Sequence, residues 1–288
     1  MIGIVLALLS AVASAFSVVL VRRNSARSNS FNMSLVITSV GAIVLWPMAL
    51  VVLPQESINY SSFLLFALSG SLSPGIVRLF YYKGLRRLGA SVNSSVFSIY
   101  PLYSALLGII LLSEILSGQN WIGIVCIALG VVTVQLGNRR NDSVEGDGVK
   151  SLVYPVLGGV TIALGSVIGK LALDVSNAPV LGVAIAYTFS LLPYVVILGV
   201  SSSTRRGLRL KRDLRFFWGA GIGQAVCWML TFIALRFEQV SVVNPLVSIE
   251  PLFVVFFAFF LLREIERVSR RVVVGIALTV VGVVLVTL

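Results

Sequence analysis

The chain contains Ser98-Ile99-Tyr100-Pro101-Leu102 and, much later, the matching stretch Ser248-Ile249-Glu250-Pro251-Leu252. When the chain is slid so that Pro101 lies on Pro251, neighbouring segments also match without a gap. Ser91-Val92 then lies on Ser241-Val242, and Glu114-Ile115 lies on Glu264-Ile265. Both matching segments are long apolar runs with a proline near the middle. The pattern indicates one structural unit that is written twice.

The composition predicts a membrane protein. Hydrophobic residues make up 58% of the chain and charged residues 11%, with a mean hydropathy of +1.02. Soluble domains carry about 25% charged residues. A very hydrophobic soluble core is excluded because uncharged stretches of membrane-spanning length recur along the whole chain. The runs are continuous and do not alternate, which favours helices over a β-barrel.

We predict an all-α membrane protein with ten transmembrane helices, arranged as two inverted five-helix repeats. The first repeat covers residues 1–137, a polar linker covers 138–150, and the second repeat covers 151–288. Five is an odd number, so each half enters the membrane from the opposite side. The predicted spans are 2–21, 31–53, 61–82, 90–112, 119–137, 152–172, 178–200, 214–235, 240–262 and 271–288.

The charge distribution predicts the orientation. Loops after the odd-numbered helices hold nineteen Lys and Arg residues, whereas loops after the even-numbered helices hold only Arg236. The positive-inside rule places the first set in the cytoplasm, so both termini are expected to be extracellular or periplasmic in a cell membrane. The net charge of +11 is divided among short loops, which argues against nucleic-acid binding. The nineteen are Arg22, Arg23, Arg27, Lys83, Arg86, Arg87, Arg139, Arg140, Lys150, Arg205, Arg206, Arg209, Lys211, Arg212, Arg215, Arg263, Arg267, Arg270 and Arg271.

Several classes of chemistry lack their residues in this sequence. The chain has no His, and its two cysteines, Cys126 and Cys227, lie inside apolar runs, where they are expected to pack. Phosphate loops, nucleophile elbows and clusters of metal ligands are missing as well. We therefore predict no metal, no cofactor and no enzymatic activity.

The order of elements resembles a known family. Each half has a helix with a proline near its middle, a short turn that contains Glu, and a Gly-rich last helix, with glycines from Gly123 to Gly130 in one half and from Gly275 to Gly282 in the other. This order resembles the EamA family of the drug/metabolite transporter superfamily. The family turn commonly reads Gly-Glu-Arg, whereas this chain has Ser113-Glu114-Ile115 and Arg263-Glu264-Ile265. The resemblance implies a ten-helix bundle with a central cavity, and export or exchange of small metabolites such as amino acids.

Ionisable residues inside the spans are the first candidates for a substrate site, because a charge at mid-membrane is costly unless it faces a cavity or a partner. Glu250 precedes Pro251 in the ninth span and could bind a substrate ammonium or carry protons. Arg78 follows Ser73-Pro74-Gly75 in the third span and could bind a carboxylate, or could pair with Glu250 for structure. Lys170 is expected to form an ion pair with Asp174, one helical turn away.

Other polar or aromatic residues could line the cavity or could form hydrogen bonds between helices. Pro101 and Pro251 are candidate hinges, because a proline inside a helix removes one backbone hydrogen bond. For Glu114 and Glu264 we expect a structural role at the ends of helices. The candidate cavity residues are Tyr82, Asn93, Tyr100 and Trp228, with Tyr81, Gln224 and Asn244 as weaker ones.

The prediction for function is a secondary transporter with a small-molecule substrate and possible proton coupling. One base and one acid suit an amino acid best, and organic or phosphorylated anions are the alternative. Two other classes are considered. A lipid-handling membrane protein predicts a lipid-facing polar groove with clustered catalytic groups, and a structural subunit predicts a closed, dry centre.

Overall fold

The computed structural model describes residues 1–24, 27–52, 56–137, 148–262 and 270–288. Within these ranges all regular structure is helical, and ten apolar helices are long enough to cross a membrane. The predicted all-α membrane fold with ten spans is therefore confirmed. The spans are α1 Ile2–Asn24, α2 Ser30–Val52, α3 Tyr60–Tyr81, α4 Ser95–Leu112, α5 Gly118–Leu136, α6 Val153–Val175, α7 Pro179–Val200, α8 Leu210–Phe237, α9 Val240–Phe257 and α10 Arg270–Thr287.

The contacts between helices show the inverted duplication. Each major contact between two helices has a matching contact between their counterparts, which are the helices five positions away along the chain. Helix α1 packs on α8 as α3 packs on α6, and α1 packs on α9 as α4 packs on α6. Helix α5 packs on its own counterpart α10. This matching is the contact pattern of two equivalent repeats, and their opposite topology follows from the odd number of spans in each. The repeat bounds at residues 137 and 151 stay a prediction.

Glycines allow α5 and α10 to approach each other closely. A Cβ atom added to Gly123 would lie 2.9 Å from the carbonyl oxygen of Gly282, and one added to Gly130 would lie 2.8 Å from that of Gly275. Gly123 corresponds to Gly275 and Gly130 to Gly282 when the two last helices are aligned by their glycines, two residues beyond the shift that aligns the prolines. Exchanging each glycine for its counterpart turns one pair into the other. The order of the pairs is antiparallel, as an inverted repeat requires.

Prolines interrupt several spans, because a proline has no backbone N–H to donate and its ring clashes with the carbonyl group four residues earlier. In α4 the regular helix resumes at Tyr100-Pro101, and in α9 it resumes at Glu250-Pro251. In α3 a wide turn covers Ser71–Ile76, where Ser73 is non-helical. A regular helix would place Ser71, Pro74, Gly75, Arg78 and Tyr82 on one face, and this turn breaks the regular spacing on which such a face depends.

The chain reverses between α3 and α4, within the stretch Val77–Phe97, whose residues are all in helical turns. The side-chain amide of Asn93 donates a hydrogen bond to the carbonyl oxygen of Tyr81 at 3.1 Å. Residues 81 and 93 would be about 18 Å apart in a straight helix that rises about 1.5 Å per residue. The rings of Tyr81 and Phe97 are also in edge contact, with centroids 5.1 Å apart. Asn93 therefore stabilises the turn that joins the two spans.

Basic and acidic side chains are concentrated at opposite ends of the bundle. We define the basic end as the end where the odd-numbered helices finish. There Arg27 and Arg212 are in contact, and Lys83 and Arg87 lie over the ring of Tyr154. The opposite end holds Glu56, Glu114, Asp174 and Glu238, and we call it the acidic end.

Glu114 links the two halves at the acidic end. Its side chain is 8% exposed, and it accepts hydrogen bonds from the backbone N–H groups of Val240 at 2.7 Å and Ser241 at 3.1 Å. These N–H groups open α9 and have no partner within their own helix. Glu114 thus caps a helix of the other repeat, in line with the structural role expected from its position. Its counterpart Glu264 lies outside the described residues.

We expect Glu114→Ala to lower the free energy of unfolding by roughly 2–4 kcal/mol, because two buried N–H groups lose their acceptor. Thermal unfolding of the purified protein in detergent measures the effect. Glu238→Ala is the matched control, since Glu238 lies at the same end and contacts the terminal amine at 3.5 Å. A surface pair of this kind contributes at most about 1 kcal/mol. Equal losses in the two variants would contradict the capping role.

Candidate functional site

Arg78 and Glu250 are brought into one hydrogen-bonded network at the centre of the bundle. Each lies just beyond an interruption of its helix: Arg78 follows the wide turn of α3, and Glu250 begins the second part of α9. These interruptions come from Pro74 and Pro251, so the same local sequence that breaks the helix also positions the charge. Both side chains are half-buried.

Neutral side chains connect the two charges. Ser14 donates its hydroxyl hydrogen to Glu250 Oε2 in a short hydrogen bond. Gln224 Nε2 donates to Ser14 Oγ at 3.2 Å, and Arg78 Nη2 donates to Gln224 Oε1 at 3.5 Å. Arg78 Nη1 also donates to the hydroxyl of Thr38. We call Thr38, Arg78, Gln224, Ser14 and Glu250 the polar chain.

The polar chain crosses the interface between the repeats. Its members come from α2, α3, α8, α1 and α9, so both halves contribute to it. The three hydrogen bonds that lead from Arg78 through Gln224 and Ser14 to Glu250 all point from the guanidinium towards the carboxylate, which aligns the intervening dipoles with both charges. Such an arrangement gives an acid and a base inside the bundle hydrogen-bond partners in two neutral groups, Ser14 and Gln224.

Tyr100 lies in a second network, where α4 crosses α9. Its hydroxyl donates to the carbonyl oxygen of Asn244 at 3.1 Å, and the side-chain amide of Asn244 donates to Ser104 Oγ at 2.7 Å. Tyr100 is 7% exposed. The two helices that are interrupted at Pro101 and Pro251, α4 and α9, are therefore joined by hydrogen bonds.

The remaining predicted site residues lie elsewhere. Asn93 stabilises the reversal between α3 and α4, as described above. Trp228 follows Gln224 by one turn of α8, and its ring contacts Phe232 with centroids 6.4 Å apart. The side chain of Tyr82 lies outside the described residues. Their roles in binding stay predictions, as does the central cavity.

Lys170 has the structural partner that the sequence indicated. Its ammonium lies 3.4 Å from Asp174 Oδ1 and donates to the carbonyl oxygen of Leu235 at 2.7 Å. This pair lies towards the acidic end of α6, away from the polar chain. The prediction of an i,i+4 ion pair is confirmed.

The sequence analysis missed Ser14 and Thr38 and ranked Gln224 only as a weaker candidate. A signal was available in α1, where Ser10, Ser14 and Ser17 recur at helical spacing and all are buried. Ser10 bonds to the carbonyl oxygen of Cys227 at 2.9 Å and Ser17 to that of Ala220 at 2.7 Å. The serine stripe thus marks the face of α1 that packs on α8.

Two inverted helical repeats with a polar centre between them define a multi-pass membrane protein of the transporter class. The chain belongs to the EamA-like transporter family, which matches residues 1–136 and 149–288. The resemblance found in the sequence is therefore confirmed. A relative from Archaeoglobus fulgidus, described as an uncharacterized transporter, is 26% identical over 291 residues, which cover 100% of this chain and 99% of the relative.

A solved structure shares the fold. It superposes with a TM-score of 0.77 over 99% of this chain and 95% of its own, at 15% sequence identity. At this sequence identity, the structural similarity shows only that the two proteins share a fold. Membership in the family shows general membrane transport.

Proposed function

We propose that the protein is a secondary transporter that exports or exchanges small zwitterionic metabolites such as amino acids. The observation that carries this proposal is the polar chain, in which Arg78 and Glu250 are linked through the neutral groups of Gln224 and Ser14. An amino acid carries a carboxylate that suits a guanidinium and an ammonium that suits a carboxylate. It can replace both neutral links at once.

Binding then follows from exchange of hydrogen bonds. In the absence of substrate, Arg78 donates a hydrogen bond to Gln224, and when substrate binds, its carboxylate accepts that hydrogen bond instead. The substrate ammonium likewise replaces the hydroxyl of Ser14 as the hydrogen-bond donor to the Glu250 carboxylate. Neither charge is left unpaired at any stage, which avoids the cost of an isolated charge inside the membrane.

Movement is proposed to occur at the proline breaks of α4 and α9. Backbone hydrogen bonds are already missing there, so a change in helix angle at Pro101 and Pro251 breaks few further bonds. These helices belong to different repeats and contact each other. Rocking of one repeat against the other would open the centre to each side in turn. Glu250, the acid of the polar chain, is the proposed carrier in any proton coupling.

Organic or phosphorylated anions are the second candidate substrate class. The paired donors of Arg78 and the hydroxyl of Thr38 favour an anion, since both can bind an oxyanion. Glu250 disfavours it, because a carboxylate repels a second negative charge across a low-dielectric site. The net charge of the transported compound separates the two classes.

Uptake into liposomes tests the proposal. The purified protein is reconstituted and offered neutral amino acids, organic acids or sugar phosphates, each with and without a pH gradient. We expect uptake of zwitterions above that of protein-free liposomes. Uptake of anions alone would favour the second class, and transport of neither class would contradict the proposed substrates.

We also propose that both termini are extracellular or periplasmic and that the basic end is cytoplasmic, as the positive-inside rule requires. Cysteine labelling tests this with two glycines that have room for a side chain, Gly207 at the basic end and Gly118 at the acidic end. An impermeant maleimide is expected to label Gly118→Cys in intact cells, and Gly207→Cys only after permeabilisation. Wild type controls for Cys126 and Cys227. Labelling of Gly207→Cys in intact cells would overturn the orientation.

A further inference from the structure

A groove at the basic end gathers positive charges around an aromatic floor. It has a volume of about 500 Å³ and is lined by Arg27, Lys211, Arg212, Arg215 and Phe216. The guanidinium of Arg27 lies 4.6 Å from the ring centroid of Phe216, and Arg212 donates a hydrogen bond to the carbonyl oxygen of Arg27. These contacts join the segment after α1 to the first turns of α8.

The four cations of this groove have no carboxylate partner within the described part of the chain. Asp213 is the acid of that helical turn, but it is 1% exposed and accepts a hydrogen bond from Asn32 at 3.1 Å. Asp213 therefore points into the protein. Four like charges held around one groove repel one another, so an anion in the groove would be bound favourably.

The position of the groove indicates where such an anion comes from. Trp218 lies less than one turn deeper on α8 and is 56% exposed, as expected for a tryptophan at the boundary between membrane and water. The groove therefore lies at the level of lipid headgroups, and Phe216 offers an apolar contact beside the cations. A phosphate can accept paired hydrogen bonds from a guanidinium.

We propose that this groove binds the phosphate of an anionic phospholipid headgroup. Basic pockets between membrane helices on the cytoplasmic side are suited to such headgroups. The site is distinct from the polar chain, and the inference does not rest on the proposed substrate. The proposal predicts that anionic lipid binds more tightly than zwitterionic lipid. It also predicts that binding depends more on the four cations of the groove than on other cations of the basic end.

Native mass spectrometry of the purified full chain in detergent micelles tests the site. The probes are phosphatidylglycerol and phosphatidylcholine, added in steps. We expect phosphatidylglycerol to bind preferentially, and Arg212→Gln with Arg215→Gln to weaken it by roughly fivefold for each charge removed. The matched control is Arg205→Gln with Arg206→Gln, which removes the same charge outside the groove and should leave binding nearly unchanged.

Three results would overturn the proposal. Equal weakening in the control pair would show attraction by the basic end as a whole, and equal binding of phosphatidylcholine would show no anion site. If inorganic phosphate competes with similar affinity, the groove is a site for free phosphate and the lipid is not its specific ligand. If the double variant fails to fold, Lys211→Gln provides the same comparison, with roughly a fivefold loss expected.

Discussion

Glu250→Gln is expected to abolish substrate transport while the protein remains folded and inserted in the membrane. Glutamine keeps the size of the side chain and an oxygen that can accept the hydrogen bond of Ser14. It removes the negative charge, which in our proposal binds the substrate ammonium. Loss of one partner of a buried charge pair costs about 2–5 kcal/mol, so transport should fall more than about 30-fold.

The liposome assay measures this loss, with and without a pH gradient. If Glu250 also carries protons, any residual transport in the variant should no longer follow the gradient. Glu238→Gln is the matched control, because it makes the same exchange at the acidic end, beside the terminal amine. Wild-type rates and pH dependence in Glu250→Gln would show that Glu250 is structural. The substrate site would then have to be sought at Arg78 and in α4.

Alanine at the glycines between α5 and α10 is expected to destabilise the fold strongly. A Cβ atom at Gly130 would lie 2.7 Å from the backbone nitrogen of Thr279, and one at Gly275 would lie 2.7 Å from the carbonyl oxygen of Gly130. Backbone atoms cannot move aside as a flexible side chain can. Overpacking of this kind costs roughly 1–3 kcal/mol at each site, and here it would force the two helices apart.

Gly199→Ala is the control, because an added Cβ atom there has nothing within 4 Å. Alanine favours the helix over glycine by about 1 kcal/mol, so this variant should be as stable as wild type or slightly more stable. Thermal unfolding in detergent should therefore show a lower melting temperature for Gly130→Ala and an equal or higher one for Gly199→Ala. The inverted symmetry adds that Gly282→Ala should match Gly130→Ala. Unchanged stability at Gly130 would show that the two helices are not packed as closely as described.

Much of the fold could be predicted because its causes are local. A span depends on about 20 consecutive apolar residues, and each can be recognised without its neighbours. The inverted arrangement follows from the recurrence around Pro101 and Pro251 together with an odd number of helices in each half. Arg78 and Glu250 could be singled out for a similar reason, since a charge at mid-membrane is costly wherever the chain is folded.

The sequence by itself thus determined the class of protein, the number of spans, their duplication and the two charged candidates. Only the tertiary structure decided what joins those charges. Ser14 and Gln224 are 210 positions apart, and Ser14 and Glu250 are 236 apart. Neutral polar side chains are tolerated inside membranes at small energetic cost, so their presence in a span does not show which of them meet. The polar chain exists because packing of the two inverted halves brings five helices to one point.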